Sequence, residues 1–412
     1  MGKLNVLNVS SGDLVGSRFN GYDWHDDLGL LGVETKMLVG WNHDSKEDWV
    51  QPISVRDNGS VQRYRDRMVL NQNLRLGKEY SNYPWASNLF KHSWYKNADV
   101  IHLQIVHDGT LDMQSIKRVI REKPTVWTWH DPWPLTGHCI YPMDCKNWNS
   151  GCGNCPDLNR AFTIGKDLTR ENRMHKQNIL SGDYVLHVAS EWFSNFIETD
   201  SYSTHPKPDL VSFGLDLKFS TPVPKELARR KLGISPGNFV IGLRSVDEPQ
   251  KNLELVQSAL RQLPADAELT IVTIQNKGRF EEIRDSFELV ELSWTNDNEI
   301  LSLFYSSLDL FIMPSLWETF GLMALDAMSY GVPVAALPNT ATSEVCDIRE
   351  NGFLIQDNSG NTLAKLILSC IANKSLLEIQ GHKSRIFAKE TRSYPKFLGS
   401  LVNLYSKAIE IH

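Results

Sequence analysis

Short runs of β-branched and aliphatic residues alternate with longer helical patterns along nearly the whole chain, and this alternation constrains the fold more than any other feature. Strands are expected at residues 4–9, 35–39, 100–104, 125–129, 185–189 and 209–212. A second set is expected at 239–243, 269–274, 287–292, 308–313 and 332–336, with helical patterns such as 253–263, 299–307 and 321–330 between them. Strand–helix alternation implies parallel sheets covered by helices on both faces, because a parallel pair needs a crossover connection. Two sets imply two doubly wound α/β domains facing each other across a cleft. Periodicity lapses over residues 213–224, so the domains are expected at 1–222 and 223–412, with a fresh helix over Lys225–Leu232 stopping at Gly233. The last segment, Pro395–His412, carries Phe397, Leu401, Leu404, Tyr405 and Ala408 on one stripe. That pattern predicts a packed terminal helix, either on its own domain or folded back on the first.

Charge and length remove other classes. The 412 residues hold 43 Lys and Arg against 49 Asp and Glu, a formal charge of −6. A wholesale nucleic-acid binder would be basic, so nucleic acid is not an expected partner. No apolar run approaches the ~20 residues that cross a bilayer. The opening MGKLNVLNVSSGD has no apolar core of a signal peptide, so a cytoplasmic location is expected. Residues 61–97 nevertheless gather basic side chains among Tyr64, Tyr80, Tyr83, Trp85, Phe90, Trp94 and Tyr95. Such a mixture suits either an anionic membrane surface, met peripherally on the inner face of the plasma membrane, or an ordinary domain face with core aromatics.

In open parallel sheets, ligands bind outside the carboxyl ends of the strands. The polar residues fall there. The first strand runs into Gly12, Gly16 and Ser17; the third into His107 and Asp108; the fourth into His130. In the second half, strand 239–243 runs into Arg244 and strand 308–313 into a loop ending at Glu318. A helix starting at Gly321 or Leu322 would offer the free N–H groups of Leu322 and Met323 to a phosphate. Asp326, four residues after Leu322, lies on the same helix face and leans back toward that site.

The stretch PSLWETFGLMALDAMSYGVPV resembles the acid-x7-acid motif of retaining glycosyltransferases of family 4, which have the GT-B fold. Residues 4–16, VIGLRSVDEPQKNLEL and FGLDLKF resemble further segments of that family, in its order. The resemblance implies that Glu318 contacts donor-sugar hydroxyls and that Asp326, standing where the family usually has Glu, binds ribose hydroxyls. It implies that Arg244 and Lys251 hold the diphosphate, that Glu344 lies near the nucleotide, and that His130 sits beside the donor sugar and acceptor. His107, Asp108 and the Gly12–Ser17 loop would serve the acceptor or phosphate side. The implied partners are a nucleotide-diphosphate sugar and a glycan or lipid-linked acceptor, and no cofactor is required for catalysis. A sugar-nucleotide epimerase of the same fold and a non-catalytic sugar-binding relative are the alternatives.

Four of the six cysteines, Cys139, Cys145, Cys152 and Cys155, crowd into residues 138–156. This segment resembles the cysteine-rich insertion of a bacterial subgroup that builds surface polysaccharides. Four thiolates, or three with His138, would satisfy a closed structural zinc site. Buried apolar cysteines or disulfides are the alternatives.

Overall fold

A computed structural model of the chain describes residues 3–53, 61–78, 81–160 and 162–412. It divides into two units. The first comprises Met1–Ala189, Phe193–Phe213 and Pro395–His412; the second comprises Ser190–Trp192 and Gly214–Tyr394.

The first unit is built on a parallel sheet of β1 (Leu4–Gly12), β2 (Val33–Asn42), β3 (Val50–Pro52), β4 (Val100–Leu103), β5 (Thr125–Thr128), β6 (Val185–Val188) and β7 (Asp209–Leu210), in the order β3-β2-β1-β4-β5-β6-β7. Strands β4, β5 and β6 are buried at every position, which is why they read as continuous apolar runs rather than alternating ones. The terminal helix Tyr394–Ile411 contributes Phe397, Leu401, Leu404, Tyr405 and Ala408, all buried. Phe397 meets Trp24 edge-on at 5.1 Å between ring centroids, and the Tyr405 hydroxyl lies 3.1 Å from His102 Nδ1.

The second unit is a parallel sheet of β8 (Phe239–Ser245), β9 (Leu269–Gln275), β10 (Glu288–Ser293), β11 (Leu310–Met313), β12 (Val334–Ala336) and β13 (Phe353–Leu354), ordered β10-β9-β8-β11-β12-β13. The helix Lys225–Leu232 ends at Gly233, whose φ of 72° supplies the left-handed stop that a residue with a Cβ would resist. One core gathers Ile241, Leu243, Leu255, Val256, Ile271, Leu310, Ile312, Leu363 and Ile367, side chains from both the sheet and its covering helices.

Two parallel sheets with helical crossovers are the α/β class expected from the alternation. The structure adds β3 and β13, three and two residues long. Neither carries enough residues to show a period, and each is an edge strand recognisable only once its neighbour is in place. The basic, aromatic stretch divides between core and surface, with Phe90 and Trp94 half-buried. Tyr83, Trp85 and Tyr95 are buried, and Tyr83 stacks on Trp85 at 4.8 Å. On the helix Val61–Arg75, by contrast, Tyr64 is 70% exposed beside exposed Val61 and Met68. Tyr80 lies outside the described residues.

Packing in the second unit leaves no room for a side chain at Gly381, within the helix Lys374–Thr391. A Cβ there would sit 2.2 Å from the Gly331 carbonyl oxygen. Alanine ordinarily strengthens a helix by about 1 kcal/mol over glycine. Here Gly381→Ala is expected to destabilise by about 1–3 kcal/mol through overpacking, read as a lower urea midpoint; a gain in stability would contradict the packing.

Candidate functional site

In the second unit the strand order reverses between β8 and β11, which pair through Leu310↔Ile241 and Phe311↔Gly242. Crossovers leave in opposite directions from these two strands, so a crevice opens at their carboxyl ends. Arg244 stands there. Its Nε donates to Gln275 Oε1 at 2.6 Å, and its guanidinium carbon lies 5.1 Å from the Trp294 ring centroid. Lys251 closes the turn Pro249–Lys251, and Asn252, with φ of 55°, ends it. Asn252 Nδ2 donates to the Pro314 carbonyl at 3.0 Å, and Leu316 N–H donates to the Gln250 carbonyl at 2.8 Å. These bonds clasp the loop after β8 to the loop after β11. The clasp brings Lys251 Nζ to 2.5 Å from Glu318 Oε1, an oxygen that also accepts from Ser315 Oγ at 3.0 Å.

Gly321 follows, with φ of 96°, and opens the helix Leu322–Ser329. A Cβ at 321 would lie 2.6 Å from Thr342 Oγ1, so both the backbone angle and the space require glycine. Thr342 is 1% exposed, and its hydroxyl has no hydrogen-bond partner among the described residues. The first-turn N–H groups of Leu322 and Met323 have no carbonyl within the helix to accept them. Asp326 is half-buried on this helix, its Oδ2 3.5 Å from the Tyr305 hydroxyl. Glu344 is engaged elsewhere. Its carboxylate accepts from the backbone N–H of Glu191 at 3.1 Å and of Trp192 at 2.6 Å, at the start of the helix Glu191–Glu198.

In the first unit the order reverses between β1 and β4. The loop after Gly12 is shaped by Asn20, whose Nδ2 donates to the carbonyls of Gly12 at 3.0 Å and Asp13 at 2.8 Å. Buried Asp13 in turn accepts the N–H groups of Asp44 at 3.0 Å and Ser45 at 2.9 Å. Gly16 has φ of 80° and packs against Phe19, while Ser17 Oγ donates to Asp23 at 3.0 Å. His107 Nε2 lies 2.7 Å from Asp131 Oδ2, and Asp131 Oδ1 accepts from Trp133 N–H at 2.8 Å. Burial alone would push the Asp131 carboxyl up; the His107 charge and hydrogen bond outweigh it and hold the group below its usual range. Asp108 is exposed, with φ of 63°.

His130 follows β5. Its ring lies 5.1 Å from Phe19 and stacks on Phe213 at 5.9 Å with an 8° tilt. Its Nε2 is 2.8 Å from Gln104 Oε1. Burial pushes the imidazole down to about 3, so it is neutral near pH 7. A narrow crevice of about 10 Å³ is lined by Gln104, His107, Thr128, His130, Asp131 and Trp133. Gln104, Asp131 and Thr342 are the polar residues that motif reading passed over. The only signal for the first two was their place just beyond β4 and β5.

The four clustered cysteines are free thiols. His138 Nε2 lies 3.4 Å from Cys155 Sγ, and Gly137 N–H donates to Cys152 Sγ at 3.2 Å. Among the described residues no group of three or more His, Cys, Asp or Glu is arranged to hold a metal ion. Lys176 braces the segment: its buried Nζ donates to the carbonyls of Trp133 and Thr136, each at 2.9 Å.

The two parallel Rossmann-like sheets, each with its polar groups at the carboxyl edge of a switch point, are the α/β architecture of GT-B glycosyltransferases. Residues 224–387 match the family described as Glycosyl transferases group 1. That match, with relatives named as glycosyltransferases, supports a transferase enzyme. It is 22% identical over 357 residues to a protein of Escherichia coli (strain K12) named as a colanic acid biosynthesis glycosyl transferase, WcaC, covering 83% of each chain. It is 32% identical over 159 residues to the lipopolysaccharide core biosynthesis mannosyltransferase LpsB of Rhizobium meliloti, covering 35% of this chain and 45% of the relative. The structure of Anabaena HepE in complex with UDP and glucose superposes with a TM-score of 0.67 at 15% identity, covering 98% of this chain and 100% of that one. Among the described residues, no helix is long and apolar enough to cross a membrane.

Burial pushes the Cys139 thiol up to about 12 and the Cys152 thiol up to about 11. Because the thiolate is the nucleophile, both should alkylate with iodoacetamide at pH 8 at least about ten-fold more slowly in the native protein than in the unfolded chain. Mass spectrometry of timed digests measures this, and equal rates would contradict the half-buried placement.

Proposed function

We propose that this enzyme is a retaining glycosyltransferase that moves a sugar from a nucleotide-diphosphate sugar to a hydroxyl of a glycan or lipid-linked acceptor, in bacterial surface-polysaccharide synthesis. One observation carries the reading. At the β8/β11 switch point, the Lys251–Glu318 pair adjoins a helix start where Gly321 and the unpartnered Thr342 hydroxyl leave polar capacity unused. A diphosphate on the Leu322 and Met323 N–H groups would meet the helix dipole. Lys251 and Arg244 would take up the charge that builds on the leaving diphosphate without reorganising. Glu318, released from Lys251, would accept hydrogen bonds from the donor sugar, and Asp326 from the ribose. The names of the relatives from colanic acid and lipopolysaccharide synthesis, and the UDP and glucose in the HepE structure, support the class of pathway and donor.

In the transfer, the bond from the anomeric carbon to the diphosphate oxygen breaks, and its electron pair leaves with the diphosphate. The acceptor oxygen bonds to the same face of that carbon and gives its proton to a diphosphate oxygen. Retention follows from this same-face attack. His130 and the Gly12–Ser17 loop are assigned to the acceptor side.

A thermal-shift screen across UDP- and GDP-sugars tests the reading. A donor at 100 times its Kd should stabilise by about 2.7 kcal/mol. Lys251→Ala should weaken that donor about ten-fold or more, a loss of about 1.4 kcal/mol. Glu318→Gln should keep the wild-type unfolding midpoint and lower kcat by about 10²–10³. Near-normal turnover in Glu318→Gln would refute the assignment.

Peripheral attachment through the helix Val61–Arg75 is part of the proposal, carried by exposed Val61, Tyr64 and Met68. The protein should float with vesicles containing anionic lipid and remain behind with neutral ones. Tyr64→Ser with Met68→Ser should abolish flotation, and equal flotation with both vesicle types would count against an electrostatic contact.

A further inference from the structure

A line of buried hydrogen bonds crosses the first unit from its sheet edge to His130. His187 Nε2 is 2.8 Å from the Val211 carbonyl, and His187 Nδ1 is 2.7 Å from Thr128 Oγ1. Thr128 Oγ1 is 2.7 Å from His102 Nε2, and His102 Nδ1 is 3.1 Å from the Tyr405 hydroxyl. The Gln104 amide spans the gap to the site, its Nε2 3.1 Å from His102 Nε2 and its Oε1 2.8 Å from His130 Nε2. His102, Thr128, His187 and Gln104 are each 2% exposed or less.

The protons along this line are determined from one end. A carbonyl only accepts, so His187 carries its hydrogen on Nε2. Burial keeps His187 uncharged near pH 7, so Nδ1 offers a lone pair and Thr128 donates to it. The Thr128 hydroxyl has spent its single hydrogen, so it accepts from His102 Nε2–H. Buried His102 is also uncharged, which leaves its Nδ1 to accept from the Tyr405 hydroxyl. With a hydrogen on His102 Nε2, the amide end facing it must be the Gln104 carbonyl oxygen. The structure sets Gln104 Nε2 there, two donors 3.1 Å apart, so the carboxamide is to be turned end for end. A hydrogen-bond network of this kind decides which end of a carboxamide is oxygen. The Gln104 NH2 therefore faces His130 Nε2.

We propose that this network fixes which ring nitrogen of His130 carries its proton, placing it on Nδ1 and committing the Nε2 lone pair to Gln104, so that His130 serves as a hydrogen-bond donor rather than a proton acceptor. Gln104, His102, Thr128, His187 and Tyr405 are then positioning residues. Stacking on Phe213 holds the ring plane while the network sets its hydrogen. The chemical use of this donor rests on the transferase reading. The proton placement rests on the hydrogen bonds and on the burial that keeps the rings uncharged.

Long-range proton–nitrogen correlation spectra of the 15N-labelled full chain at pH 7 read the tautomer of each imidazole directly. His130→Asn assigns the His130 signals by their loss. The expected pattern is hydrogen on Nδ1 for His130 and on Nε2 for His102 and His187. A His130 protonated on Nε2, or averaging between tautomers, overturns the proposal in the wild-type protein without any variant having to fold. Thr128→Val cuts the line, and His130 should then average. With an active sugar nucleotide, kcat should fall about ten-fold or more while KM stays within about two-fold, since a transition-state contact is lost. Thr128→Ser, which keeps the hydroxyl, should restore both readouts. An unchanged His130 tautomer in Thr128→Val would also overturn the proposal. If the expected pattern appears and no sugar nucleotide is turned over, the proton placement holds and the transferase reading fails.

Discussion

Parallel strand pairing governs where chemistry can happen in this chain. Each parallel strand must be reached by a crossover outside the sheet, and right-handed crossovers cover both faces with helices. The carboxyl edge stays open only where successive crossovers depart in opposite directions. That happens once in each sheet, between β1 and β4 and between β8 and β11. Arg244 and Gly12 stand at the ends of β8 and β1, Glu318 and Gly321 follow β11, and His107 and His130 follow β4 and β5. The same rule that lets the strands bury both faces supplies the only places where polar loops can stand beside a rigid backbone.

The second unit uses this edge to hold charge in a form that can be exchanged. Lys251 and Glu318 have side chains 11% and 12% exposed and pair at 2.5 Å. At such exposure, desolvation offsets much of the Coulomb gain, so the pair is weak evidence for a stabilising role. Its anchoring is strong by comparison. Asn252 and the Leu316 N–H tie its two loops together through backbone carbonyls. A rigid frame around a nearly balanced ion pair suits a site where each member finds a new partner in a ligand: phosphate for the lysine, hydroxyl for the glutamate.

Sequence reading reached the fold class and most strands because a buried parallel strand leaves a dense apolar run. It missed β3 and β13, whose short pairings depend on a neighbour rather than on any period of their own. At the site, residues that follow a strand immediately were legible, since position relative to a strand end is written in one dimension. Partners were not. Nothing near Glu344 in sequence announces that it receives the N–H groups of Glu191 and Trp192. Nothing near His107 announces Asp131, 24 residues away. The cysteines were legible as a cluster from their spacing, but Lys176, which braces the segment through contacts 40 and 43 residues away, was not. The aromatics of 61–97 were ambiguous for a further reason, because composition does not say which face of a turn a ring takes, and Tyr83, Trp85 and Tyr95 take the core.

The buried histidines of the first unit pose a question of cost. His102 and His187 lie on central strands at 0% exposure, where Val or Leu would fill the space without needing partners. A buried polar group left unsatisfied costs about 1–3 kcal/mol, so each histidine commits its neighbours. Thr128 must present a hydroxyl, Val211 a carbonyl, and Tyr405 a phenol carried in from the far end of the chain. Such a network is stable only when every member is paired, and it then admits few proton arrangements. An apolar core would hold the sheet equally well and would say nothing about protons. A core that does specify them, and ends at His130, keeps its polar residues for direction rather than stability.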